Sequence, residues 1–413
     1  MAVVKPFRAV RPNAENASQV AALPYDVYSR KEALEAVKGN PLSFLNIDRG
    51  ETQFPDEVDI YADCVYEKAR ELLDARIEDG TFIQDETPCY YIYRLTMNGR
   101  SQTGIVACSS VDDYQNQVIK KHENTREEKE QDRICHVDAT DAHTGPIFLA
   151  YLSLEKLDRL TARVCLGTPI YDFVSDDGIG HTVWKIAAPG LVKEIEEAFL
   201  QVPATYIADG HHRAASAVKV GLKRQMEHPD DTGEEPYHYF LSVLFPDEQL
   251  MIMPYNRVVK DLNGLSKDEF LNSIKESFTL SQAGPSPYAP EKKGTFGMYL
   301  DGQWYRLEAK PEIISNDPVK GLDVSLLQDF LLGPILGIGD PRTDKRIDFI
   351  GGIRGLKELE KRTKEDMEVA FSMYATSIQE LLNVADAGLL MPPKSTWFEP
   401  KLRSGLFIHK LSE

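Results

Sequence analysis

The 413-residue sequence predicts an α/β protein, on three observations. Strand-like apolar runs alternate with stretches of helical periodicity along most of the chain. An Asn98-Gly99 pair lies between two β-rich runs, Pro88 to Leu95 and Arg100 to Ser109, which is a strong short-range hairpin signal. An apolar run from Ala204 to Ala208 breaks at Asp209-Gly210 and passes at once into Ala-rich, helix-favouring sequence. The pattern divides into an N-terminal α/β region over 1–110, a core over 111–258 and a C-terminal α/β domain over 259–413.

Taken in order, Ala21 to Val27 reads as a strand-end turn around Pro24, and Ser29 with Glu32 forms a capping box for a helix through Lys31 to Lys38. Asn40-Pro41 stops that helix, and Phe44 to Arg49 is expected as a strand with a charged end. The cluster Asp48-Arg49-Gly50-Glu51 reads more readily as a solvated turn than as the lining of a site. Tyr61 to Glu78 carries apolar residues at helical spacing and ends at Gly80. The Asn-Gly hairpin follows.

Val118 to Thr125 starts like a strand and runs into a dense mixture of charges, Arg126 to Arg133. Most such runs are salt-bridged helix faces, but His122-Glu123 sits at a junction that can present a carboxylate to a cleft. A polar turn, Thr140 to Pro146, enters the apolar stretch Ile147 to Leu154. Asp172 to Gly180 is expected as an acidic turn region and Pro189 to Phe199 as a helix. After the Asp209-Gly210 turn, His238 to Phe245 and Met251 to Met253 read as strands. Beyond Pro254 come a helix over Lys267 to Phe278, a strand pair joined by Asp301-Gly302, and a helix over Val324 to Leu332. Gly351-Gly352 is weak evidence of backbone approach to a ligand. The Pro-framed loop Met391 to Lys401 suits an anion site and a structural role equally.

Composition narrows the function classes. A hydrophobic content of 42% and a charged content of 27% are those of an ordinary globular protein. The net charge of −18 argues against duplex nucleic acid or an anionic membrane as the main partner. The opening residues, Met-Ala-Val-Val-Lys-Pro-Phe-Arg, lack the apolar core of a signal peptide, and no run has the length of a membrane span. Five scattered cysteines without a C-x-x-C pattern suit reduced thiols, so a cytoplasmic location is the expectation.

The Tyr206 to Val218 stretch carries the chemistry. A strand that turns over a Gly into a helix aims backbone N–H groups and a positive dipole end at whatever sits above it, and phosphate is the usual occupant. Here the turn also holds a carboxylate, two imidazoles and a guanidinium, Asp209 to Arg213. The plainer alternative is an Asp N-cap with a polar first turn.

The Asp209-Gly210-His211-His212-Arg213 turn resembles the phosphate-binding turn of the ParB/sulfiredoxin superfamily. Its Asp-Gly-His-His-Arg form resembles the free serine kinases of that superfamily, which phosphorylate L-serine to O-phosphoserine. Sulfiredoxin chemistry is not expected, because its essential thiol would fall at His211. Those kinases have a catalytic Glu after a His, and Lys121-His122-Glu123 matches that pairing. With Leu23 to Val27, the His-Glu-Asn-Thr segment and the Pro-Pro-Lys-Ser-Thr loop, the chain is similar over its length to a large uncharacterised prokaryotic family, some members of which are thought to be serine kinases.

The resemblance implies a ParB/sulfiredoxin-like nucleotide-binding core flanked by N-terminal and C-terminal α/β regions. The gap from Glu123 to Asp209 is longer than in compact kinases, which implies an insertion within 138–200 or a different base. Glu123 is implied as the catalytic base, with Asp209 and His211 beside it. Gly210, His211, His212 and Arg213 are implied to hold the donor phosphates, with Lys394, Ser395 and Thr396 as a further candidate contact. His122 and Thr125 are assigned to the substrate, and Asp209 to a metal. The implied cofactors are Mg²⁺ and ATP or ADP, with pyrophosphate open as a donor. The expected partners are L-serine and that donor, with a homodimer as a candidate assembly and no nucleic acid or membrane. Two other functions stay open. One is a nucleotide-binding regulator with a ParB-like turn. The other is a metal-dependent phosphohydrolase using His211 or His212 with Asp209, which needs a third ligand because adjacent residues do not share a helix face.

Overall fold

A computed structural model describes residues 1–412. The described chain folds as two compact units, one of residues 1–121, 125–250 and 400–412, the other of residues 122–124 and 251–399. Both mix helices and sheets, so the fold is of the α/β class that the periodicity predicts.

The first unit is built on a nine-stranded sheet of β1 (Val4–Lys5), β2 (Tyr90–Met97), β3 (Arg100–Ser110), β4 (Ile119–Lys120), β5 (Ile147–Tyr151), β6 (Tyr171–Val174), β7 (Gly180–Ile186), β8 (Thr205–Asp209) and β9 (Tyr239–Pro246). Its order is β4-β8-β5-β9-β3-β2-β7-β6, with β1 on β3. Strands from residues 1–110 and from 111–250 thus share one sheet. The β2–β3 hairpin turns at Asn98 and Gly99, whose φ values of 51° and 78° match the right-handed twist of the flanking strands. Ile92, Ile105, Leu149, Ile207 and Leu244 are buried on the sheet. They pack with Ala214, Ala217 and Val218 of a helix that begins directly after β8.

The helices of this unit include α1 (Asp63–Glu78), α2 (Glu127–Thr140), α3 (Pro189–Phe199), which packs Ile195, Ala198 and Phe199 into the core of the sheet, and α4 (His211–Glu227). The charge run Arg126 to Arg133 is the start of α2, and much of it is buried: Glu130, Asp132 and Arg133 are each less than a tenth exposed. Helices α2 and α4 are tied by Ser216, whose hydroxyl donates to the main-chain oxygen of Glu130 at 3.0 Å, and by the Lys219–Glu130 ion pair.

The second unit holds a six-stranded antiparallel sheet of β10 (Tyr255–Val259), β11 (Phe278–Gly284), β12 (Thr295–Leu300), β13 (Gln303–Ala309), β14 (Ile347–Gly351) and β15 (Val369–Ser372). The order is β11-β13-β12-β15-β10-β14, over a core that includes Val258, Trp304, Ile350 and Leu359. Among the described residues no helix is long and apolar enough to cross a membrane, and the five cysteines are free thiols.

Three local expectations are corrected. Phe44 to Arg49 is not a strand: Leu45–Asp48 is a short helix followed by a 3₁₀ turn, Gly50–Gln53. Its apolar residues are buried on successive positions, a pattern that strand and buried helix share. The side chain of Asn46 bonds the carbonyls of Asn40, Pro41 and Ser43, which decides for the compact form. Residues 171–174 form an edge strand where an acidic turn region is expected to begin. The helix expected over Lys267 to Phe278 ends at Ile274, and Phe278 opens β11.

Candidate functional site

The Asp-Gly turn falls where the sequence places it, between β8 and α4. A β-bulge interrupts the pairing of β8 with β5 between Ile207 and Asp209, which re-aims the last residue of the strand. Gly210 follows with φ 90° and ψ 33°, a left-handed conformation that L side chains rarely adopt. A Cβ there would also stand 3.1 Å from Cζ, Nε and Nη2 of Arg213. Glycine is therefore required twice over. As N-cap it offers no side chain to the first turn of α4.

The charged groups are arranged around that helix end. Arg213 folds back: Nη2 lies 3.3 Å from Asp209 Oδ2, and Nη1 donates to the Pro146 carbonyl. Lys401, largely buried, places Nζ 3.5 Å from the other Asp209 oxygen. Asp209 thus holds two cations beside the N-terminus of a 17-residue helix, a fit for an anion. His212 Nε2 accepts the backbone N–H of Arg126 at 3.0 Å, which puts the proton of a neutral ring on Nδ1. His211 is buried. Thr125, assigned to the substrate, donates its hydroxyl to Glu130 Oε2 at 2.7 Å and so supports the start of α2.

His122, Glu123, Lys394, Ser395 and Thr396 belong to the second unit. There the main-chain oxygen of His122 accepts from Met391, and its Nε2 is 3.4 Å from Thr396 Oγ1, so the His-Glu-Asn segment and the Pro-framed loop meet. Ser395 is buried and donates to Pro392 O at 2.6 Å, while the carbonyl of Lys394 accepts from Arg257. The Ser395 hydroxyl thereby shapes the loop.

Sequence reasoning missed two features. The first is Lys401 as the partner of Asp209, a pairing across most of the C-terminal half of the sequence that no local pattern signals. The second is a polar hollow in the first unit. One cavity, about 420 Å³ counting space open to solvent, is lined by Tyr25, Asp48, His136, Thr144, Arg213 and others; another, about 390 Å³, shares Tyr25, Asp48, Arg133 and His136 with it. The Asp48 cluster expected to be a solvated turn is instead buried: Asp48 is 3% and Glu51 4% exposed. Arg133 lies 4.0 Å over the Tyr25 ring, a cation–π contact, and pairs with Asp132. Burial and the Arg133 charge push the His136 pKa down to about 4, so the ring is neutral at pH 7. Its Nε2 donates to the Ile47 carbonyl at 3.0 Å.

Residues 4–325 match the model of a family described as a protein of unknown function, DUF1015. The chain belongs to the DUF1015 family. Among solved structures, this DUF1015 protein is similar to a free serine kinase variant in complex with ADP, at 14% identity over 73% of this chain and 92% of that one, with a TM-score of 0.36. It is also similar to a conserved hypothetical protein from Pyrococcus furiosus (16% identity, 74% and 94% coverage, TM-score 0.35). A third is the C-terminally truncated SbnI from Staphylococcus aureus (11% identity, 72% and 85% coverage, TM-score 0.37). No curated protein matches the chain in sequence.

Proposed function

We propose that this DUF1015 protein is a phosphotransferase, a free serine kinase-like member of the ParB/sulfiredoxin superfamily that moves a phosphoryl group from a nucleotide to the hydroxyl of L-serine. The observation that carries the reading is the Asp209–Arg213 turn. It combines a left-handed Gly, a helix N-terminus without a capping side chain at Gly210, and two cations held by one carboxylate. Such a site neutralises phosphate oxygens with preorganised donors, which is most of what phosphoryl transfer asks of a protein.

In this reading the amides of the first turn of α4, with Arg213 and Lys401, hold the donor phosphates, and Asp209 fixes both cations. His211 and His212 border the same phosphates. Glu123 takes the proton of the serine hydroxyl, a role that rests on the resemblance. A single carboxylate already engaged by two cations fits Mg²⁺ only as an ion that arrives with the donor, which supplies most of its oxygen ligands. When bound, that ion would neutralise phosphate charge.

The test is incubation of the purified protein with Mg²⁺, L-serine and ATP, ADP or pyrophosphate, followed by mass spectrometry for O-phosphoserine. Product with one of the donors is expected. Donor binding without product from any of them points instead to a nucleotide-responsive regulator.

A further inference from the structure

The cavity of about 390 Å³, counting space open to solvent, in the first unit is lined by six acidic and basic side chains of alternating sign, Asp48, Arg49, Glu51, Lys129, Asp132 and Arg133, besides His136. Four of them pair off. Arg49 bonds Glu51, and Arg133 places Nε and Nη2 each 3.1 Å from Asp132 Oδ2. Two remain. Asp48 is 3% exposed, and its carboxylate accepts a single bond, from Thr144 Oγ1 at 2.8 Å, with no cation within the 4.0 Å of an ion pair among the described residues. Lys129, half-buried, reaches the Tyr61 hydroxyl at 3.4 Å and likewise makes no ion pair among the described residues.

Arg133 donates to the Asp48 main-chain oxygen and its charge is felt by the carboxylate, but the two make no ion pair, and a buried carboxylate without a direct ionic partner is costly unless a ligand meets it. One negative and one positive group left over in one hollow call for a ligand that carries both charges and is neutral overall. Asp48, Tyr25, Arg133 and His136 also line the adjoining cavity, which Arg213 of the phosphate turn enters. The neutral His136 adds no third charge to the balance.

We infer that this hollow is the binding site for the backbone of a free α-amino acid. The Asp48 carboxylate takes its ammonium, and Lys129 takes its carboxylate. The shared wall then directs the side chain toward Arg213, so a hydroxylated amino acid presents its oxygen to the turn. This last step rests on the kinase reading; the zwitterion site does not.

Calorimetric titration of the full chain with L-serine, ethanolamine and L-glycerate, in the absence of a phosphate donor, tests the assignment. L-serine is expected to bind more tightly than ethanolamine or glycerate, each of which lacks one of the charges. Asp48→Asn should weaken L-serine by about tenfold or more, as loss of a charge-assisted bond does. Lys129→Met should weaken L-serine similarly while leaving ethanolamine unchanged. If Asp48→Asn does not fold by circular dichroism, the half-buried Lys129→Met carries the test. No binding of L-serine, or equal binding by wild type and both variants, overturns the proposal. Binding with these losses but without phosphoserine formation upholds the pocket and sinks the kinase reading. Phosphoserine formation with unchanged KM in both variants does the reverse.

Discussion

Replacing Gly210 by Ala is the sharpest perturbation of the turn. The residue sits at φ 90°, so any L side chain carries backbone strain of about 1–2 kcal/mol. The new Cβ also meets three atoms of the Arg213 guanidinium group at 3.1 Å, a few tenths of an ångström closer than ordinary contact. Arg213 must give by a few tenths of an ångström, yet it is held by Asp209 and by the Pro146 carbonyl. Each charge-assisted bond weakened there costs about 1.5–3 kcal/mol. The strain is separable from the displacement with Gly178→Ala in the same unit. That residue has φ 78° but nothing within 4 Å of a Cβ, so it bears strain alone. Both variants should lose a few degrees of Tm, at about 2–4 °C per kcal/mol. Donor binding by calorimetry should fall tenfold or more only in Gly210→Ala. Equal donor affinity in wild type and Gly210→Ala would refute the assignment of the turn.

Lys401→Met removes one of the two cations on Asp209 and should weaken the phosphate donor by about tenfold, with a salt dependence shallower than that of wild type; calorimetry at two ionic strengths measures both. Acid should destabilise the fold. Burial lowers the pKa of His136 and His409 to about 4 and of His181 to about 3, below the unfolded value near 6.5, so the unfolded chain binds more protons in between. Their contribution is full above pH 6.5 and lost as pH falls toward 4, on the order of 1–2 kcal/mol for each by pH 5. Urea midpoints at pH 7 and pH 5 check it, and an unchanged or higher midpoint at pH 5 counts against buried neutral imidazoles. Glu123→Gln should reduce turnover by about 10²–10⁴-fold while donor affinity stays near wild type. Near-normal turnover would remove Glu123 from the role of base.

What the sequence made legible was local. Ala204 to Ala208 could be read as a strand and Ala214 to Val218 as a helix because propensity and burial agree there, and only Gly suits the junction. The hairpin at Asn98-Gly99 was legible for the same reason. Features made by distant partners were not. Asp48-Arg49-Gly50-Glu51 has the composition of a solvated turn. It is buried because Thr144, Tyr25 and α2 close over it, contacts spread over more than a hundred residues of sequence. Lys401 was visible as one basic residue in a Pro-framed loop, but its partner Asp209 lies far up the chain. The roles of Lys394, Ser395 and Thr396 as phosphate contacts rest on residue type, and the internal bond of Ser395 shows how a hydroxyl there also serves the loop.

The most direct test of the central claim is the initial rate of O-phosphoserine formation from L-serine over a range of donor concentrations, followed by mass spectrometry in parallel for wild type, Glu123→Gln and Gly210→Ala. The account predicts product from wild type, loss of rate without loss of donor affinity in Glu123→Gln, and loss of donor affinity in Gly210→Ala. Wild-type protein that binds nucleotide but forms no phosphoserine with ATP, ADP or pyrophosphate would contradict it.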